Sequence, residues 1–546
     1  MTDCFKLALA LLNPTVGDIA GNLKKIREAR SEAGRRGADL VLFGELVTTG
    51  YPPEDLVLKP ALMQAVHKAV GDLVAENGPD MLISTPWMNG NRLMSAVLLI
   101  ADGQIKGISY KHDLPNYGPF DEKRVFVAGP LPLPLEWRGI KIGAPICEDV
   151  WTPTVCAHLA GQGAEILLVP NGSPYEYEKD DTRAKLVAER ARETRLPMVY
   201  LNQVGGQDEL VFDGGVLIAS AEGKITGRVA HWREGMTLVT WRKADSRWLC
   251  EDAPQELDAR GEPSIYAALV MGLRDYVHKT GFKDVVLGLS GGVDSALVAA
   301  IAVDALGAEH VSCVMMPSPY TSQASLEDAA ACAKALGCSY QSIGIEPAMK
   351  AYDGMLGGAE GLTAENVQPR VRGALLMGIS NKTGAMVLST GNKSEISTGY
   401  ATLYGDMCGG FNPLKDVYKM TVYALCKWRN TNRLSWGKGP DGVVIPERII
   451  TKAPSAELKP GQTDQDSLPP YPVLDGILRG LVERDVGVEE LVHAGYERST
   501  VVRVWQLIDR AEYKRRQSCP GVKITPRSFG KDRRYPIVNG FTAMIR

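Results

Sequence analysis

Residues 284–300 read DVVLGLSGGVDSALVAA. An apolar, β-branched run gives way to a Gly-Gly turn and then to an alanine-rich helical pattern. A buried strand that feeds a helix in this way belongs to a parallel sheet with helices packed on it. Gly291 and Gly292 let backbone N–H groups turn inward, Ser290 and Ser295 add hydroxyl donors, and the positive end of the following helix faces the same place. The stretch is therefore expected to hold phosphate through Gly288, Leu289, Ser290, Gly291, Gly292, Val293, Asp294 and Ser295. It lacks the lysine of GxxxxGK[ST] and the spacing of GxGxxG. Asp294 is the odd member. A carboxylate repels phosphate unless a divalent cation lies between them, so Asp294 implies Mg²⁺.

The residues that follow repeat the theme. Strands are predicted at 285–289, 311–316, 340–345 and 385–389, with helices at 294–306, 324–336 and 365–380 between them, the pattern of a doubly wound parallel sheet. A helix precedes the first strand, with Ile265, Leu269, Leu273 and Tyr276 on one face and Gly281 as its stop. Beyond Lys427 the chain is richer in Pro and charge, with a loop-like APSAELKPGQTDQDSLPPYP.

Upstream lies a second α/β block. Short runs such as FKLALALL, ADLVLFGE, MLISTPW, IKIGAPIC, EILLVPN and MVYLNQ read as strands, and NLKKIREARSEAGRRG and DDTRAKLVAERARETR read as helices. Stacked sheets covered by helices are expected. The acidic, aperiodic ADSRWLCEDAPQELDARGEP marks a linker. The chain thus divides into a first domain at 1–245, a linker at 246–262 and a second domain at 263–546.

With 61 Lys+Arg against 64 Asp+Glu, a net charge of -3, the chain offers no electrostatic argument for a nucleic-acid partner. Ten cysteines without a CxxC pair indicate neither a disulfide framework nor structural zinc. The N-terminus reads as a core strand rather than a signal peptide, and no apolar run approaches the roughly 20 residues of a membrane span. A cytoplasmic protein is expected, with no membrane partner.

SGGVDS after an apolar strand resembles the ATP pyrophosphatase family. That resemblance implies that the loop binds the pyrophosphate portion of ATP, adenylates an acceptor oxygen and releases PPi. The missing lysine fits, because a Walker lysine serves γ-phosphate transfer and the bond broken here is α–β. VLSTGNKSE, ENVQPRVRGALLMGISN, NPLKDVYK, PSAEL and EYKRRQSCP narrow the resemblance to the NAD synthetase family over nearly all of 263–546. It implies that Glu395 joins Asp294 on Mg²⁺, that Thr390, Lys415 and Ser455 contact ATP or PPi, and that Asn366, Arg372, Glu395 and Lys514 hold deamido-NAD.

In the first block, three polar residues end predicted strands: Glu45 after DLVLFG, Lys111 after IKGISY and Cys147 after IKIGAPI. Neighbouring strands could converge these side chains. A carboxylate can take the thiol proton, and an ammonium can stabilise both thiolate and oxyanion. FGELVTTGYPPEDL, YKHDLPNYGPFDEKRVF and PICEDVW resemble the nitrilase (carbon–nitrogen hydrolase) superfamily, in particular its glutaminase domains. This implies an αββα sandwich and a γ-glutamyl thioester on Cys147, with Glu45 as base and Lys111 as oxyanion partner. Glu148 would assist proton transfer or form an ion pair. Tyr117, Ser173 and Lys179 are the candidates for holding glutamine.

Together the resemblances imply ammonia release from glutamine in the first domain. Adenylation of deamido-NAD with ATP·Mg²⁺, and amidation to NAD⁺, would follow in the second. Ammonia is mostly ammonium at neutral pH, which motivates a protected passage between the sites. Family resemblance also implies a homo-oligomer.

Overall fold

A computed structural model describes residues 3–177, 179–256 and 259–541. Contacts divide the chain into two units, 1–260 and 261–546.

In the first unit, strand Cys4–Leu11 alternates its neighbours as a strand with two buried faces must. Ala8 and Ala10 share a core with Leu23, Ile26 and Ala33 of helix Ile19–Arg35, and with Ala69, Val70 and Leu73 of helix Pro60–Ala75. Leu7, Leu9 and Leu11 are also buried, and Leu11 approaches Gly214 of the second sheet. The first sheet runs in spatial order Arg247–Cys250, Gly235–Ala244, Cys4–Leu11, Leu40–Leu42, Asp80–Asn89, Arg92–Ala101, Gln104–Tyr110. The second runs Val204–Gln207, Leu210–Ala219, Met198–Asn202, Ile166–Asn171, Ile140–Gly143, Leu135–Trp137, and Ile225–His231 also pairs with Leu210–Ala219. Helices Pro153–Gly161 and Lys179–Thr194 cover it through Val155, Leu159, Leu186 and Val187. This is the αββα arrangement.

The expected linker differs from what is observed. Arg247–Cys250 is a strand, paired antiparallel with Trp241–Ala244, and Trp248 is buried against Phe5. One buried Trp among acidic neighbours is too sparse a period to reveal a strand. Leu257 and Asp258 of the same stretch lie outside the described residues.

The second unit carries a sheet ordered Ser339–Ser342, Val311–Met315, Val285–Gly288, Met386–Leu388, parallel throughout. Helix Val293–Leu306 is buried all round, which explains its uniformly apolar composition. Val371 and Leu376 of helix Gly361–Thr383 pack with Val286, Val314 and Val387 of the sheet. Helix Glu346–Leu356, absent from the sequence reading, follows the edge strand with no residue buried. The tail is more ordered than its composition suggests. Helices Tyr471–Leu478 and Arg498–Arg510 build a core from Leu474, Ile477, Leu478, Val501, Val504 and Ile508.

Candidate active site

Two centres emerge, one in each unit. In the first, Glu45 lies three residues beyond strand Leu40–Leu42, and Lys111 directly follows Gln104–Tyr110. Cys147 opens a single helical turn, Cys147–Val150. Its φ of 43° is a left-handed conformation that a non-glycine residue adopts only under constraint. The constraint is Asp149. Its buried carboxylate accepts the N–H groups of Ile146 (2.9 Å), His112 (3.0 Å) and Asp113 (2.8 Å), tying the turn to the segment after Lys111. Burial pushes the Asp149 carboxyl up to about 7, against the pull of those donors.

Lys111 Nζ donates to Glu45 Oε1 at 2.7 Å and to Glu122 Oε1 at 2.8 Å. Glu45 and Lys111 are 0% exposed and Cys147 is 7% exposed, so this chemistry is dry. Burial works to lower the Lys111 pKa, but Glu122 and Glu45 more than offset it, so the ammonium stays charged. Burial, then Glu45, push the Cys147 thiol up, while Lys111 and the Gly172 N–H pull the other way. The resting nucleophile is a thiol. Gly172 N–H also donates to Glu45 Oε2 at 3.1 Å, and a side chain there would meet Tyr51 and Glu45.

Glu122 and Tyr51, whose hydroxyl donates to Glu122 at 2.8 Å, escaped the sequence reading because neither ends a strand. Tyr117 is 54% exposed and donates to Glu148 at 2.9 Å, so Glu148 is paired with a phenol. Ser173 is buried beside Gly172, and its hydroxyl accepts from Arg183 at 3.2 Å. Lys179 begins helix Lys179–Thr194 and pairs with Glu176 at 3.3 Å.

In the second unit, Gly288 ends its strand, Leu289 N–H donates to Val314 O, and Gly291 turns the chain at φ 80°. A Cβ on Gly291 would lie 2.4 Å from Ser325 O, so only glycine fits. Ser290 and Ser295 hydroxyls lie 3.1 Å apart, and Ser295 Oγ accepts Ser290 N–H. Val293 and Asp294 open helix Val293–Leu306, with Gly292 as its cap.

Asp294 Oδ2 takes a bond from Lys419 Nζ at 2.6 Å, and Oδ1 takes one from Asn392 at 2.9 Å. Lys419 also reaches Glu395 Oε1 at 3.1 Å. The structure joins Asp294 and Glu395 through Lys419, the last residue of NPLKDVYK. Lys415, the residue of that stretch expected to contact ATP or PPi, lies four residues earlier and is half-buried. Lys419 opens a helix, Lys419–Thr431, and the helical run after it was the available signal. Burial pushes Glu395 up to about 8, with Lys419 opposing and Asp294 reinforcing. Asp464 adds a third carboxyl, raised by burial and acting on Lys419 and Asp294.

The remaining expected residues fall around this centre. Thr390 follows strand Met386–Leu388 and is half-buried. Exposed Ser455 donates to Gln462 O at 2.6 Å, and its segment reaches the phosphate loop through Lys452 Nζ, 3.0 Å from Gly291 O. Asn366 accepts from Thr402 at 3.0 Å, Arg370 donates to Leu403 O at 3.2 Å, and Lys514 donates to Gly399 O and Ala401 O at 2.8 and 2.7 Å. All three meet the loop 399–408. Arg372 donates to Met316 O at 3.0 Å, and burial lowers its pKa to about 10 despite Glu457 and Asp406. Asp406, an exposed carboxyl of the same loop that accepts Thr402 N–H at 2.7 Å, adds negative charge beside Lys514 and Arg372.

A buried Cys–Glu–Lys centre on an αββα sandwich, and a lysine-free phosphate loop on a parallel sheet, define an amidotransferase-type ligase. The comparisons agree. Residues 6–247 match the carbon-nitrogen hydrolase family and 265–518 the NAD synthase family. The glutamine-dependent NAD(+) synthetase of Rhodobacter capsulatus is 47% identical, the match covering 99% of both chains. That of Acinetobacter baylyi is 45% identical over 98% of this chain and 99% of the relative. The solved glutamine-dependent NAD+ synthetase of Acinetobacter baumannii, in complex with ADP, is 42% identical with a TM-score of 0.78, covering 99% of each chain. The chain belongs to the glutamine-dependent NAD(+) synthetase family.

Proposed function

We propose that this protein makes NAD⁺ from deamido-NAD, using ATP and ammonia drawn from glutamine. The observation that carries the reading is the presence, in one chain that matches its relatives end to end, of both complete centres. Glu45 takes the Cys147 proton as the thiol attacks the glutamine carboxamide, since the resting thiol is held protonated by burial. Lys111, fixed by Glu45 and Glu122, supplies positive charge to the developing oxyanion. Ammonia leaves, a γ-glutamyl thioester remains on Cys147, and water releases glutamate. Tyr117, Ser173 and Lys179 hold the substrate.

In the second centre the 290–295 loop and the helix end bind the ATP phosphates while the nicotinate carboxylate attacks the α-phosphorus. PPi leaves, and ammonia displaces AMP from the mixed anhydride. Asp294 and Glu395 share the ammonium of Lys419, and Asp464 adds negative charge nearby, so a further cation fits. Asp294 and Glu395 would hold Mg²⁺, which when bound offsets phosphate charge. Asn366, Arg372 and Lys514 would take deamido-NAD, and Thr390, Lys415 and Ser455 the nucleotide. Ammonia passes between the centres protected from solvent.

Exposed Tyr352, Met355, Leu356 and Leu362, on two successive helices, favour a homo-oligomer. Among the described residues no cysteine is in a disulfide, which suits the cytoplasm. Among the described residues, no helix is long and apolar enough to cross a membrane.

The test is NAD⁺ formation from deamido-NAD and ATP, with amide-labelled glutamine competing against unlabelled ammonium. Label should dominate the product. Another acceptor being amidated in place of deamido-NAD would overturn the reading, and equal incorporation would remove protected transfer.

A further inference from the structure

Three thiols outside both centres gather at the C-terminal end of helix Gln323–Leu336. Cys313 is buried in strand Val311–Met315, and Cys332 is buried in the helix's last turns. The helix stops at Gly337, whose φ of 73° lets its N–H and that of Cys338 return to helix carbonyls. The chain then enters strand Ser339–Ser342, which pairs with Ser312–Met315 starting at Ser312↔Ser339. This reversal delivers Cys338, half-buried, to the flank of Cys313, with 3.6 Å between the two sulfurs.

We infer that Cys313 and Cys338 form a dithiol modification site that closes to an intramolecular disulfide when it meets a small-molecule disulfide of the glutathione type. A disulfide needs its sulfurs about 2.05 Å apart, so the observed contact requires a displacement of roughly 1.5 Å, within the reach of a side-chain rotation. The environment divides the roles. Cys338 is the accessible thiol, and its hydrogen bond with Cys313 lowers its pKa. That same bond, then burial, raise Cys313. The Cys338 thiol gives its proton to solvent, and the thiolate attacks one sulfur of the small disulfide. The first glutathione thiolate leaves and takes up a proton. Cys313 then loses its proton and attacks Cys338 Sγ, and the second glutathione thiolate departs. Two protein thiols are oxidised to one disulfide, and one small disulfide is reduced to two thiols.

The full-length protein would be incubated with oxidised glutathione, alkylated, and digested. Trypsin cuts after Lys283, Lys334 and Lys350, placing Cys313 and Cys338 on different peptides, and cleavage after Glu327 separates Cys313 from Cys332. The expected product joins a Cys313 peptide to a Cys338 peptide, two hydrogens lighter than their sum and released by dithiothreitol. Cys338→Ser should abolish the link, and Cys332→Ser should leave it intact. Ammonium-dependent synthesis measured in parallel reports that each variant is folded. A stable glutathione adduct on Cys338, a Cys332–Cys338 link, or full alkylation of Cys313 and Cys338 after treatment would overturn the inference.

Discussion

The two centres solve the same problem, holding charge where a reaction needs it, in opposite ways. The first is finished before any substrate arrives. Glu45 and Glu122 lie in the core and both bond to Lys111, so the ammonium is neutralised without water, and burial pushes the Glu122 carboxyl up. The second is left open. The Asp294 and Glu395 side chains, which share Lys419, are each 17% exposed, whereas Glu45 and Glu122 around Lys111 are 0% and 7% exposed. Hydrolysis of a neutral amide calls for a preorganised dry pocket, whereas a site for ATP has to leave room for its charges.

Removing the nucleophile should separate the centres most sharply. Cys147→Ala is expected to lower glutamine-dependent synthesis at least about 10⁴-fold while ammonium-dependent synthesis stays within about twofold, as steady-state rates with each nitrogen source would show. Asp294→Ala should reduce synthesis from both sources by about 10²–10³-fold, and glutamine hydrolysis alone should survive. If hydrolysis falls equally, the centres are not separable. Glu122→Gln probes the dry core. It should cut glutamine use about 10²-fold and lower the unfolding midpoint, since breaking a buried pair costs about 3–5 kcal/mol. Ammonium use should be spared.

The smallest effect is expected in the open centre and depends on pH. Burial pushes the Glu395 carboxyl up to about 8, so below that pH a cation must displace its proton. Apparent Mg²⁺ affinity in the presence of nucleotide should rise by up to about tenfold per pH unit toward pH 8 and then level off, with proton release below pH 8. Calorimetry in two buffers would measure both. In Glu395→Gln the rise should vanish.

Local chemistry made part of this legible in the chain itself. The strand–SGGVDS–helix stretch announces its geometry because glycine freedom, helix dipole and apolar burial all act within 17 consecutive residues. The observed helix, Val293–Leu306, starts within one residue of the expected 294. Glu45, Lys111 and Cys147 were readable because each follows a strong strand. What needs a distant partner was not readable. Glu122 becomes part of the centre only because the 111–122 loop folds back on Lys111, and Lys419 matters only because its helix starts beside Asp294, 125 residues earlier. Strand Arg247–Cys250 was hidden in an acidic stretch, since its order comes from Phe5 at the other end of the unit. The sequence by itself determined the α/β character of both blocks and the strand–turn–helix course of SGGVDS, because turn and capping energies are local. Only the tertiary structure decided which charges balance which, because in a low-dielectric interior a charge is defined by the partner that neutralises it, and that partner can lie anywhere along the chain.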